Sequence, residues 1–195
     1  MQANVTVFAV QEKREEWKKF AQISDMRHLV FLDESGVNTN LTRRYGRSIG
    51  KERVEDCSPL NTPQTTTILS SIRSDGSKET VTYFGGTTGT RFTEYLRTTL
   101  LPKLQPEDIV IMDNLRSHHV KAVQELFAEN KHELVYLPPY SPDLNPIEKM
   151  WSKMKSILRK WKIREASALP DAIHKALNLA TPDDCLHWFQ SCGYC

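Results

Sequence analysis

The chain lacks most of the features that mark a protein for a membrane or for export. No apolar run approaches the ~20 residues a membrane span needs. The N-terminus has no short apolar core with a small-residue cleavage site, so a signal peptide is not expected. Four cysteines in 195 residues are too few for a disulfide scaffold. Cys57 stands alone, while Cys185, Cys192 and Cys195 crowd the C-terminus near His187. Cys192-Gly-Tyr-Cys195 has the C-x-x-C form, yet no helix follows to lower a thiol pKa. A zinc site from Cys185, His187, Cys192 and Cys195 has an unusual spacing and is the minor alternative to incidental, reduced cytosolic cysteines. There is no internal repeat, no low-complexity tract, no long Gly/Ser linker and no phosphate-cradling Gly-rich loop. No nucleotide cofactor is expected.

Net charge is also small, +2, but it is unevenly spread. Lys149 to Arg164 holds seven Lys/Arg and no acidic residue, and Arg43 to Arg53 holds five basic residues against Glu52 alone. Such stretches suit phosphate contact, although solvated faces look the same in sequence.

What is present is an ordered series of short elements. Glu12 to Gln22 reads as a charged helix with Trp17 and Phe20 on one side. His28–Asp33 is a short apolar run fit for a buried strand. A basic, turn-rich connection runs from Gly36 to about Pro63. Thr65–Ile72 and Lys78–Phe84 are β-rich, and the Asp75-Gly76 pair between them signals a hairpin. Phe92 to Leu100 has helical spacing, stopped by Pro102. Asp108–Asp113 is a second buried-type strand. His119 to Glu129 is helical with Val120, Val123 and Phe127 on one stripe, and Glu133–Leu137 is a strand ended by Pro138-Pro139. Asn145 is a natural N-cap with Pro146 at N1, opening a helix whose apolar face is Ile147, Met150, Trp151, Met154, Leu158 and Trp161. Two further helices are expected at about Ala168–Leu179 and Pro182–Gln190. Three early β segments followed by alternating helices and strands describe an α/β protein, a mixed sheet flanked by helices in the order of the ribonuclease-H-like fold. The expected division is an N-terminal helical extension (1–27), a catalytic domain (28–162) and a C-terminal helical extension (163–195).

Asp33 ends the first strand, Asp113 ends the fourth, and Glu148 lies in the first turn of the long helix. Strands one and four are neighbours in this architecture, which would set the two aspartates side by side. Each like-charged pair at ~4 Å costs about 4 kcal/mol at an effective dielectric of ~20. Hard divalent cations relieve that cost, and Mg²⁺ favours a few carboxylates with phosphate oxygens and water. Two such ions suit in-line phosphoryl transfer. Each residue alone has a plainer role: the aspartates as turn formers, and Glu148, at N3 after Asn145, as half of a capping box. Glu34 should face the opposite side of its strand.

Phe31-Leu32-Asp33-Glu34-Ser35-Gly36, Met112-Asp113-Asn114 with His118 beyond, and the run Leu137-Pro-Pro-Tyr-Ser-Pro-Asp-Leu-Asn-Pro-Ile-Glu148-Lys149-Met150-Trp151 resemble insertion-sequence transposases of the mariner-like superfamily. The resemblance covers roughly residues 28 to 162, and its most specific part is the Pro-rich run into Glu148. It implies a ribonuclease-H-like DDE domain with Asp33, Asp113 and Glu148 as catalytic metal ligands. It also implies Mg²⁺- or Mn²⁺-dependent cutting of element ends, joining to target DNA, and a homodimer or larger assembly on DNA. Relatives carry a helix-turn-helix region ahead of this domain, and Met1–Arg27 is too short to hold one. A ribonuclease-H-like nuclease without strand transfer, and a truncated relic that competes for DNA, are the alternatives.

Pro138, Pro139, Pro142 and Pro146 should stiffen the entry to the long helix. Tyr140 is expected to pack under that loop, with base stacking as the alternative. His118 has both a phosphate-contact and a capping reading. Arg43, Arg44, Arg47, Lys51, Lys155 and Arg159 are the expected DNA contacts, the last two on the Glu148 side of the helix.

Overall fold

A computed structural model describes residues 7–43, 45–50, 52–57, 64–113 and 121–195. The chain begins with α1 (Val7–Ile23), then β1 (Leu29–Val37), β2 (Thr66–Ile72), β3 (Lys78–Phe84), α2 (Gly89–Tyr95), β4 (Ile109–Met112) and α3 (Lys121–Glu129). It continues with β5 (Glu133–Tyr136), α4 (Pro146–Trp161), α5 (Leu169–Asn178) and α6 (Pro182–Ser191). The five strands form one sheet in the order β3-β2-β1-β4-β5. β1, β2 and β3 pair antiparallel, whereas β4 lies parallel to β1 and β5 parallel to β4.

β1 is central and apolar on both faces, which is why its sequence shows a continuous hydrophobic run rather than an alternation. Leu29 and Phe31 face a layer made by α1, α4, α5 and α6, whose Trp17, Met150, Trp151, Met154, Leu158, Ile173 and Phe189 fill it. Val30 and Leu32 face Phe92, Tyr95, Leu96 and Leu100, and Val123, Leu126 and Phe127 of α3. Burying a side chain of this size contributes ~1.5–3 kcal/mol, so the period-2 alternation of β1 dictates which helices cover which face. The hairpin turns where Asp75-Gly76 predicts: Arg73 N–H donates to Ser77 O (3.0 Å), and Gly76 has φ of 89°. A Cβ at Gly76 would stand 3.1 Å from the Cα of Pro182, so glycine is required there by conformation and by space.

Four expectations need correction. β1 does not end at Asp33 but runs on to Val37, so Asp33 lies mid-strand, opposite Ser70 of β2. The helix over Phe92–Leu100 is α only to Tyr95 and continues as a π turn over Leu96–Leu100, with Pro102 inside a following 3₁₀ turn. Trp161 is 41% exposed rather than part of the buried face of α4, because the helix ends there and Lys162 turns left-handed (φ 52°). Asn145 occupies the N-cap position of α4 by backbone, yet its side chain makes no capping hydrogen bond and its buried Oδ1 has no partner. His119 and Val120, expected in α3, lie outside the described residues.

At the end of the sheet remote from Asp33, Asp108 is buried, and both its oxygens accept from the Arg73 guanidinium. Gln105 N–H also donates to it. Burial pushes the Asp108 carboxyl up, but the guanidinium and the backbone N–H outweigh it, leaving the carboxyl below its usual range. This aspartate is structural.

Candidate active site

The parallel pairing of β1 with β4 runs Leu29–Ile109, Val30–Val110, Phe31–Ile111 and Leu32–Met112. One residue further along both strands comes Asp33 beside Asp113. The adjacency is therefore a consequence of register, and a slip of one residue would move Asp33 to the other face. Asp33 is buried, and Asp113 half-buried at the strand end. Glu148 is exposed, in the first turn of α4.

Asp33 is held from two sides. Glu34 N–H donates to its Oδ1 (2.7 Å), and the indole Nε1–H of Trp151 donates to its Oδ2 (3.2 Å). Trp151 lies one helical turn after Glu148, so the helix that presents the glutamate also grips the aspartate. Burial, then the charge of Asp113, then that of Glu148 push the Asp33 carboxyl up to about 7, against the lowering effect of the two donated hydrogen bonds. Both other carboxylates thus lie within electrostatic reach of Asp33. Among the described residues no three His, Cys, Asp or Glu side chains stand close enough to hold one ion as they are. Glu148 makes no side-chain hydrogen bond or ion pair among those residues, so its carboxylate is not tied to another position. The three carboxylates offer oxygen donors alone and repel one another, a chemistry that fits a hard divalent cation better than zinc, which favours Cys and His.

The capping alternative for Glu148 finds no support, since neither half of a capping box is made at Asn145. Glu34 points to the opposite face, within electrostatic reach of Tyr83, as strand alternation requires. Tyr140 does not pack under the Pro-rich loop. It is 88% exposed with φ of 56°, an uncommon conformation for a bulky residue.

The seven-cation run of α4 divides. Lys153 pairs with Asp184 (2.5 Å) and Lys162 with Asp56 (2.8 Å), while Arg164 donates to the carbonyls of Thr39, Leu41 and Cys57. These three pin other elements down, so their charges are engaged within the protein. Lys149, Lys155, Arg159 and Lys160 have no ion pair among the described residues. Arg43 and Arg47 are exposed on the loop after β1 and line, with Lys160, Lys162 and Tyr45, a groove of about 410 Å³. Arg44, Lys51 and His118 lie outside the described residues. The cysteines do not gather: Cys185 and Cys192 are core residues, and Cys195 is exposed.

Residues 28–170 match the family of DDE superfamily endonucleases, and the chain belongs to that family. No curated protein sequence matches it. Among solved structures it is similar to the Mos1 transposase paired-end complex with the left transposon end, at TM-score 0.78 and 17% identity, over 94% of this chain and 58% of that one. It is similar to the Mos1 mariner paired-end complex with Mn at TM-score 0.76 and 16% identity, again over 94% and 58%. The Mos1 transposase catalytic domain with raltegravir and Mg matches at TM-score 0.70 and 17% identity, over 93% of this chain and 89% of that domain. The chain therefore spans little more than half of the longer Mos1 chains, and its fold is ribonuclease-H-like.

Sequence reasoning missed Trp151 as a partner of Asp33 and the exposure of Tyr140. The helical stripe correctly buried Trp151, but which atom its indole meets depends on a strand 118 residues away. The left-handed conformation of Tyr140 carries no sequence signal, because that residue is neither Gly nor Asn.

Proposed function

We propose that this chain is the catalytic domain of a DNA transposase that cuts element ends and joins them to target DNA. Asp33, Asp113 and Glu148 are its metal ligands in this reading, and it works as a dimer or larger assembly. The observation that carries the reading is the β1–β4 register that sets Asp33 beside Asp113, together with the α4 indole on the Asp33 carboxylate. The three carboxylates would hold Mg²⁺ or Mn²⁺, two ions in this reading, which would supply a lowered pKa for the attacking hydroxyl and charge stabilisation for the departing oxygen. Trp151 and the Glu34 N–H fix the orientation of Asp33, so that its oxygens meet a cation without first reorganising.

DNA lies along α4. Lys155 and Arg159 follow Glu148 by 7 and 11 residues, which places them within roughly 20° of its bearing. The stripe extends about 16 Å from the carboxylate, roughly five nucleotide steps of one strand. Beyond it stand Arg43 and Arg47, on a loop that Arg164 and Lys162 anchor. Tyr140, exposed at the tip of the proline-stiffened loop, offers a ring for a base that leaves the stack.

The test is Glu148→Gln assayed for nicking and for strand joining with Mg²⁺, Mn²⁺ and Ca²⁺. Gln keeps the length and an acceptor oxygen but is a poor ligand for a hard cation. Wild-type protein should nick with Mg²⁺ or Mn²⁺, do little with Ca²⁺ and stop in chelator. The variant should lose nearly all cleavage with DNA binding retained and its melting temperature little changed. Nicking without any joined product would leave a nuclease; undiminished cleavage in chelator would remove the metal site altogether.

A further inference from the structure

α1 is joined to the loop that delivers Glu148 at two points. The Arg14 guanidinium donates to Ser141 Oγ (2.7 Å) and to both oxygens of Asp143 (3.0 and 2.5 Å). Just beyond the C-terminal end of α6, Tyr194 is fully buried and its hydroxyl is used twice. It accepts from the Trp17 indole Nε1–H (2.8 Å) and donates to the Leu144 carbonyl (2.8 Å). The gripped residues are the 3₁₀ turn Pro142–Leu144 and its N-cap Ser141, directly ahead of Asn145-Pro146-Ile147-Glu148. That start of α4 lacks the restraint its sequence promised, because the Asn145 side chain caps nothing. The proline residues stiffen the loop internally, but a stiff loop still needs an outside anchor to set where it points.

We propose that Arg14 and Tyr194 are positioning residues that together fix the start of α4, and through it the approach of Glu148 to the Asp33–Asp113 pair. The inference rests on Glu148 being a metal ligand. Arg14 restrains the turn from the surface and Tyr194 from the core, so the two grips oppose rotation of the turn about the chain entering α4. The anchors come from α1 and from the last residues of the chain, both outside the segment that carries the three carboxylates. Asp33 keeps a restraint within its own strand, the Glu34 N–H on its Oδ1, whereas Glu148 depends on the start of α4 alone.

The experiment is Mn²⁺ titration, read by the electron paramagnetic resonance of free Mn²⁺, on wild type, Glu148→Gln, Arg14→Gln, Tyr194→Phe and the combinations with Glu148→Gln. Tyr194→Phe removes one oxygen and keeps the ring; Arg14→Gln changes a partly exposed site, so it serves should the core variant fold poorly. Each clamp variant should weaken Mn²⁺ binding at least threefold when Glu148 is present and have no further effect in the Glu148→Gln background; Arg14→Lys should restore part of the loss. A general loosening of the fold would instead weaken binding equally in both backgrounds, and that result overturns the proposal. So does unchanged Mn²⁺ affinity in the clamp variants when Glu148→Gln weakens it. Unchanged affinity in Glu148→Gln itself overturns the ligand assignment, and the clamp with it.

Discussion

Replacing Asp33 by Asn should stabilise the metal-free protein at alkaline pH and do little at pH 5. Because the folded protein holds the Asp33 proton more tightly than the unfolded chain does, stability present at low pH is lost as pH rises from about 4 to about 7. The interval from 3.8 to about 7 corresponds to about 4 kcal/mol at 1.36 kcal/mol per unit. Asparagine removes this cost but can accept only one of the two hydrogen bonds, from Glu34 N–H or from the Trp151 indole. Leaving the other donor unsatisfied costs ~1–3 kcal/mol. The net gain at pH 8 is therefore about 2 kcal/mol, or roughly 4–8 °C in melting temperature for a chain of this size. At pH 5 most of the repulsive charge is already neutralised in the wild type, and the two proteins should melt within about 2 °C of each other. Calorimetry in chelator at both pH values, repeated with Mg²⁺, provides the measurement. Mg²⁺ should raise the melting temperature of the wild type at pH 8 and not that of the variant. A stabilisation equal at pH 5 and pH 8 would show that burial and the neighbouring carboxylates do not raise the Asp33 carboxyl, and the electrostatic argument would fail.

Lys155→Ala with Arg159→Ala should lower the slope of log affinity against log salt by about 1.8, near 0.9 for each lost phosphate contact with duplex DNA; filter binding across a salt series reads it directly. Changing Lys153 and Lys162 instead, whose charges are engaged with Asp184 and Asp56, should alter the slope less. Tyr140→Ala should weaken binding of single-stranded or end-frayed DNA by about 1–3 kcal/mol and leave the melting temperature unchanged, as its ring is exposed. A fall in melting temperature would mean that the ring packs after all. Asp108→Ala should destabilise the fold by about 3–5 kcal/mol, since it leaves the Arg73 guanidinium largely buried without its partner; Mn²⁺ binding in the surviving folded fraction should be unchanged.

The order of elements, and with it the ribonuclease-H-like sheet, was legible in the sequence because each strand and helix carries its own period. The apolar run of β1, the Asp-Gly turn and the Ile147–Leu158 stripe are local patterns, and local patterns survive without knowledge of the partner. Asp113 and Glu148 stand where the sequence put them, at a strand end and in a first helical turn, whereas the end of the apolar run at Asp33 is not the end of β1, because the polar half of the strand is held by its pairing with β2. The limits came where a side chain's role depends on what lies opposite. Nothing near Trp151 says that its indole meets Asp33. Nothing near Asn145 says that it leaves the cap unmade, and nothing near Arg14 or Tyr194 says that they hold the turn before Glu148. The cations from Lys149 to Arg164 show the same division: composition grouped seven of them, and only tertiary contacts with Asp184, Asp56 and the loop after β1 separate those engaged within the protein from those without an ion pair among the described residues. Periodicity is a property of the chain, whereas hydrogen bonds and ion pairs between residues more than a hundred positions apart exist only after the sheet has set its register.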